Sequence, residues 1–137
     1  MPERLQLAGL TTRIVGPADA KLTVVLMHGF GAPGDDLLGL APYIQAPVRF
    51  VFPEAPLELG GLYGDARAWW RLDLARLERD LASGTPQDRA SEVPEGLADA
   101  RAHVTRFIDE LEAKLAITDA QLVLGGFSQG AMVALDL

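Results

Sequence analysis

The sequence predicts an α/β domain, a mostly parallel sheet with flanking helices. Three observations predict it. Apolar runs fall at 22–27, 48–52 and 121–124, and such runs suit strands buried within a parallel sheet. Segments of helical spacing stand between them. The runs end in turn-forming residues, among them Gly29, Gly31, Pro53 and Gly125. Strands alternating with helices imply right-handed crossovers on one sheet.

Each element follows in chain order. Residues 11–15, Thr-Thr-Arg-Ile-Val, are β-prone and stop at Gly16-Pro17, so they read as a first strand or hairpin arm. Residues 22–27 form a strand that opens into the glycine-rich loop His28-Gly29-Phe30-Gly31-Ala32-Pro33-Gly34. Asp35 or Asp36 is placed to cap a helix reaching about Tyr43. Residues 48–52 are the next strand. From Pro53 to Trp70 the chain is rich in Gly, Pro and aromatics and lacks periodicity, which predicts a long loop. Leu72, Leu74, Leu77 and Leu81 stand among charges over 71–82, a short amphipathic helix. Polar residues 83–93 read as a surface excursion. A long helix is expected from about Pro94, suited to a first turn, to Ala116. Leu97, Val104, Phe107, Ile108, Leu111 and Leu115 form its apolar stripe. Gln121–Leu124 is a short buried strand, and a helix with almost no polar face starts after Ser128.

Composition narrows the function. The 137 residues suit one domain, and 49% hydrophobic with 23% charged residues is a globular balance. The net charge of −7 argues against nucleic acid or an anionic membrane as partner. No cysteine is present, which removes disulfides, thiolate chemistry and sulfur-ligated metals. That fits a reducing compartment. The first ten residues lack the apolar core of a secretory signal, so a cytoplasmic location is expected. No run approaches a membrane span. No metal site is visible, and no cofactor is expected.

Residues 124–132, Leu-Gly-Gly-Phe-Ser-Gln-Gly-Ala-Met, carry the chemistry. Ser128 lies between a strand and a helix, with Gly126 and Gly130 two positions to either side. A sharp strand-to-helix turn forces strained dihedrals at its apex, and the glycines remove the Cβ atoms that would clash. This is the nucleophile-elbow pattern in its expected context. The apex lifts the hydroxyl clear and sets it at a helix N-terminus, which favours a developing anion. By chance alone, one of three serines would carry both glycines about 3% of the time. The flanking strand and helix sharpen that signal.

In a parallel sheet the C-terminal strand ends share one edge, which puts the 28–31 loop beside Ser128. An oxyanion hole needs two convergent donors. The backbone N–H of Gln129 is one candidate and that of Phe30 the other. His28 sits at a strand end, where bracing the loop by hydrogen bonds is the expected role rather than general base. His103 falls mid-helix, a surface or packing position.

Four segments together resemble the phospholipase/carboxylesterase family of α/β-hydrolases, which includes acyl-protein thioesterases. They are Leu26–Gly31, Pro53–Pro56, Ala68-Trp69-Trp70 and Gly125–Met132. The similarity runs from about residue 20 to the end. It implies the α/β-hydrolase fold and a serine esterase acting on short- to medium-chain acyl esters or thioesters. It further implies Ser128 as nucleophile, Phe30 and Gln129 as oxyanion donors, and Trp69 and Trp70 as the border of the acyl pocket, with core packing the alternative for each tryptophan.

The serine still needs a base and an acid to orient it. Both histidines precede Ser128, whereas this fold places its Asp and His after the nucleophile. Asp136 lies eight residues along the helix, about 12 Å of rise, out of reach. The strand at 121–124 would form an exposed edge, and the following helix would show apolar surface. The expectation is an N-terminal portion of a domain near 220 residues by the family pattern. Further chain or a second copy would cover the edge. The rival expectation is a non-catalytic half-domain that pairs through that edge.

Overall fold

The computed structural model describes residues 2–137. Among the described residues, five strands form a mixed sheet and two more a separate two-stranded ribbon, with three α-helices and three 3-10 helices around them. β1 (Glu3–Leu7) and β2 (Leu10–Val15) form an antiparallel hairpin. β3 (Thr23–Met27), β4 (Arg49–Pro53) and β7 (Leu122–Gly126) run parallel to one another. The order across the sheet is β1-β2-β4-β3-β7. β2 meets β4 antiparallel, joining the hairpin to the parallel part.

The alternation of β3 divides the core. Val25 and Met27 face α2 (Leu97–Leu115), whose Leu97, Ala100, Val104, Phe107 and Leu111 are buried against the sheet. Val24 and Leu26 face the other way, towards Phe50, Phe52 and Ala41. Phe107 and Leu111 are fully buried, and each such side chain stabilises the fold by about 1.5–3 kcal/mol relative to exposure. α2 also holds the hairpin turn, because His103 Nε2 bonds the Ala8 carbonyl at 2.7 Å and Glu110 accepts from the Ala8 N–H.

Several expectations need correction. The segment Asp36–Tyr43 is a 3-10 helix, and Asp35 occupies its N-cap position without a side-chain cap bond. Pro42 lies inside it, and a proline cannot donate the N–H that an α-helix requires. The long helix starts at Leu97, not Pro94, because Gly96 takes a left-handed conformation at φ 94°. The stretch 53–70 is not wholly irregular: β5 (Leu57–Glu58) pairs with β6 (Arg67–Ala68). α1 (Leu74–Ser83) is capped by Asp73, which accepts from the Arg76 N–H at 2.9 Å, and it ends at Gly84 with φ 67°. Its leucine face is largely exposed. β7 is not buried either. It is the outermost strand, and Val123 is 45% exposed. β1 carried too many charges to be read as a strand from its sequence.

Among the described residues no helix is long and apolar enough to cross a membrane.

Candidate active site

The turn between β7 and α3 (Gln129–Asp136) is built by close approach. The Phe127 N–H donates to the Met27 carbonyl at 3.0 Å, tying the end of β7 to the end of β3. The Gly130 N–H returns to the Phe127 carbonyl at 3.0 Å, and the Met132 N–H donates to the Ser128 carbonyl at 3.0 Å. Between these bonds Ser128 takes φ 53°, ψ −116°. That conformation costs a residue with a Cβ on the order of 1–3 kcal/mol. The surrounding bonds impose it. A Cβ on Gly126 would sit 2.5 Å from the Gly130 carbonyl carbon, and one on Gly130 would sit 2.1 Å from the Met27 oxygen. Both positions therefore admit only glycine. The result is an exposed Ser128 at the first turn of α3.

The 28–34 loop lies against this turn. A Cβ on Gly29 would lie 3.4 Å from the Ser128 Cβ and 3.2 Å from the Phe127 ring. The Ala32 N–H closes a turn on the Gly29 carbonyl at 3.3 Å, with Gly31 at φ 81°. The Gly31 N–H is engaged by the Arg67 carbonyl at 2.9 Å. Among the described residues, the N–H groups of Phe30 and Gln129 have no acceptor within the protein. The Ser128 hydroxyl likewise makes no hydrogen bond there.

His28 is 2% exposed and both ring nitrogens are occupied. Nε2 accepts from the Ala55 N–H at 3.0 Å, so Nδ1 carries the proton and donates to the Gly29 carbonyl at 2.9 Å. Burial pushes its pKa below the usual 6.5. A neutral, doubly bonded imidazole braces the loop, the role its strand-end position predicts, and has no free lone pair for a serine proton. His103 is committed to the hairpin turn. Asp136 pairs with Arg101 on α2 at 2.5 Å. Neither histidine is available to the serine.

Trp69 and Trp70 are each 3% exposed and belong to the core. The Trp69 indole N–H donates to the His28 carbonyl at 2.8 Å. Trp70 also borders a cleft of about 390 Å³ whose lining is mixed, with Leu72, Leu77 and Met132 beside the charged Arg76, Arg89 and Glu92. Its indole nitrogen is buried without a partner among the described residues. Trp69 does not line that cleft. The two rings are buried to the same degree, and core packing, the alternative the sequence leaves open for each, describes both.

Sequence reasoning missed two side chains. The Gln129 amide is buried and bonds the strip before α1 twice: Oε1 accepts from the Trp69 N–H at 2.8 Å, and Nε2 donates to the Trp70 carbonyl at 2.9 Å. Arg67 donates to the Ala55 carbonyl at 2.6 Å and pairs with Glu54 at 3.2 Å. No spacing rule announces either, since both contacts join segments distant in sequence. Among the described residues no group of three or more His, Asp or Glu could hold a metal.

A sequence profile of the phospholipase/carboxylesterase family matches residues 11–137. The chain belongs to that family. Its relatives within and around the family agree. Acyl-protein thioesterase 1 of Candida albicans is 30% identical over 125 residues, which are 86% of this chain and 50% of that protein. The solved structure of esterase PE8 is 32% identical with a TM-score of 0.72, covering 92% of this chain and 55% of that one. The carboxylesterase from Mesorhizobium loti, 20% identical with a TM-score of 0.70 over 99% of this chain, shares the fold. The architecture is that of the α/β-hydrolases. The chain spans about half the length of the curated relatives it matches.

Proposed function

We propose that this chain carries the nucleophile and oxyanion-hole half of a serine carboxylesterase or thioesterase acting on short- to medium-chain acyl esters. The observation that carries the reading is the exposed Ser128 at φ 53°, beside two unengaged N–H groups. In the reaction, the Ser128 oxygen attacks the acyl carbonyl and the hydroxyl proton passes to a base. The carbonyl oxygen becomes an oxyanion, for which the N–H groups of Phe30 and Gln129 are the proposed donors. Collapse expels the alcohol or thiol and leaves an acyl-serine, which water then hydrolyses. The cleft at Trp70 and Met132 is our candidate for the acyl group. Trp69, which the family resemblance also assigns to the acyl border, bonds the His28 carbonyl beside the proposed oxyanion site.

The base and its orienting carboxylate are assigned to residues outside 2–137, because the histidines of this chain are committed elsewhere. The test joins residues 1–137 to the second half of a family relative that carries a histidine, and treats the folded product with a fluorophosphonate. An adduct on Ser128, lost in Ser128→Ala, is expected. A folded product that labels elsewhere, or not at all, defeats the proposal.

One observation favours a second reading. β7 is an outer strand with Val123 exposed, and α3 shows Leu135 at 89% exposure. A chain with that edge can act as a non-catalytic half-domain that pairs with another copy. The two readings are compatible, since a pairing unit can belong to an enzyme.

A further inference from the structure

The strip Arg67–Trp70 touches both sides of the proposed oxyanion site. At one end the Arg67 carbonyl accepts from the Gly31 N–H at 2.9 Å, and the Arg67 N–H donates to the Ala32 carbonyl at 3.0 Å. These two bonds hold the turn that presents Phe30. At the other end the Gln129 amide brackets Trp69 and Trp70. In the middle the Trp69 indole reaches the His28 carbonyl, and Ala68 is fully buried. The Arg67 side chain fastens the strip to the end of β4 through the Ala55 carbonyl and Glu54, whose other oxygen meets Arg13 of β2 at 3.2 Å.

A loop containing Gly29, Gly31 and Gly34 has little stiffness of its own. Its geometry must come from what it is bonded to. The Gln129 amide is well suited to supply that. It offers an acceptor to an N–H and a donor to a carbonyl, so its orientation is unique and both contacts are satisfied. The cost of leaving either buried backbone group unpaired makes the contact two-sided.

We propose that Gln129, through its side chain, is a positioning residue: it holds the 67–70 strip, and the strip fixes the spacing between the Phe30 and Gln129 N–H donors. The proposal rests on the oxyanion reading above for its purpose. Its geometry is tested without serine chemistry, so failure here and failure of the labelling experiment are separate results.

The experiment is amide hydrogen exchange by NMR on the full chain, wild type against Gln129→Met. Methionine keeps the length and loses both bonds. The Gly31 and Arg67 amides, which sit at the far end of the strip, are expected to exchange about tenfold faster, while Val25 and Val51 in the sheet change less than about threefold. Unchanged exchange at Gly31 and Arg67 overturns the proposal. So does an acceleration shared equally by Val25 and Val51, which reports general loosening. Should Gln129→Met not fold, Gln129→Ala is read the same way, because it too loses both bonds and is well suited to the first turn of α3.

Discussion

Gly130 lies so close to Met27 that a methyl group on it would stand 2.1 Å from the Met27 carbonyl oxygen. Backbone, not a flexible side chain, fills that space, so neither partner can step aside. Gly130→Ala is expected to cost about 3 kcal/mol or more, at or beyond the upper end for overpacking. Gly126→Ala faces backbone at 2.5 Å and is expected to cost a similar amount. Urea unfolding of both variants checks this. A loss below about 1 kcal/mol at either position would mean the turn relaxes freely.

Ser128 holds the same turn under strain. Ser128→Gly removes the Cβ that makes φ 53° unfavourable and is expected to stabilise the chain by about 1 kcal/mol, less what glycine gives back to the unfolded chain. Ser128→Ala keeps the Cβ and should leave stability within about 0.5 kcal/mol. Thermal melts of the two variants decide. A glycine variant less stable than the alanine one would show that the turn stores no strain at Ser128.

His28 predicts a pH dependence. Burial lowers its folded pKa below 6.5, so the unfolded chain takes up the proton first. Its contribution to stability is therefore complete above about pH 6.5 and is lost as the pH falls through the lowered folded value. Wild type should lose stability between pH 7 and 5 more steeply than His28→Gln, which starts less stable and lacks that component. Parallel pH profiles for the two proteins would contradict the burial argument.

The isolated chain should turn over p-nitrophenyl acyl esters no faster than the buffer, because neither imidazole is free to take the Ser128 proton. Steady-state assays with short and medium acyl chains measure this. Ordinary enzymatic turnover that disappears in Ser128→Ala would reveal a base within this chain.

The outer strand makes a prediction about association. β7 presents unpaired backbone and an exposed Val123, a template for another strand. Sedimentation equilibrium is expected to show dimers or larger species at micromolar concentration. Val123→Lys, a charge on the edge, should shift the population towards monomer. A wild-type chain that stays monomeric at every concentration removes the pairing reading.

Much of the fold could be read from local pattern. The runs at 22–27 and 48–52 are apolar because they lie inside the sheet, as β3 and β4; the run at 121–124 is β7 with a small shift at the ends, a strand as read but at the sheet edge rather than buried. The stripe from Leu97 to Leu111 is the buried face of α2. Boundaries failed where one residue outweighed the pattern. Gly96 delayed α2, and Pro42 kept the 36–43 segment from being an α-helix. β1 escaped notice because its pairing with β2 supports it despite its charges. In the site, the glycine pair marked the turn at Ser128. Core packing of Trp69 is one of two readings the sequence leaves open, and the bracket made by Gln129 left no mark, since it arises from segments that meet only once the chain has folded.

The sheet order also dictates a sequence of events. β1 through β4 can assemble from neighbouring stretches of chain, whereas β3 must wait for β7, since Thr23 faces Leu122 across the parallel pair. Such distant closure is slow. The bend at Ser128 thus depends on β7, which joins a β3 already paired with β4 on its other side. Without Leu122–Gly126, β3 has an open edge on the side away from β4, and the Phe127–Met27 bond that shapes the bend has no donor.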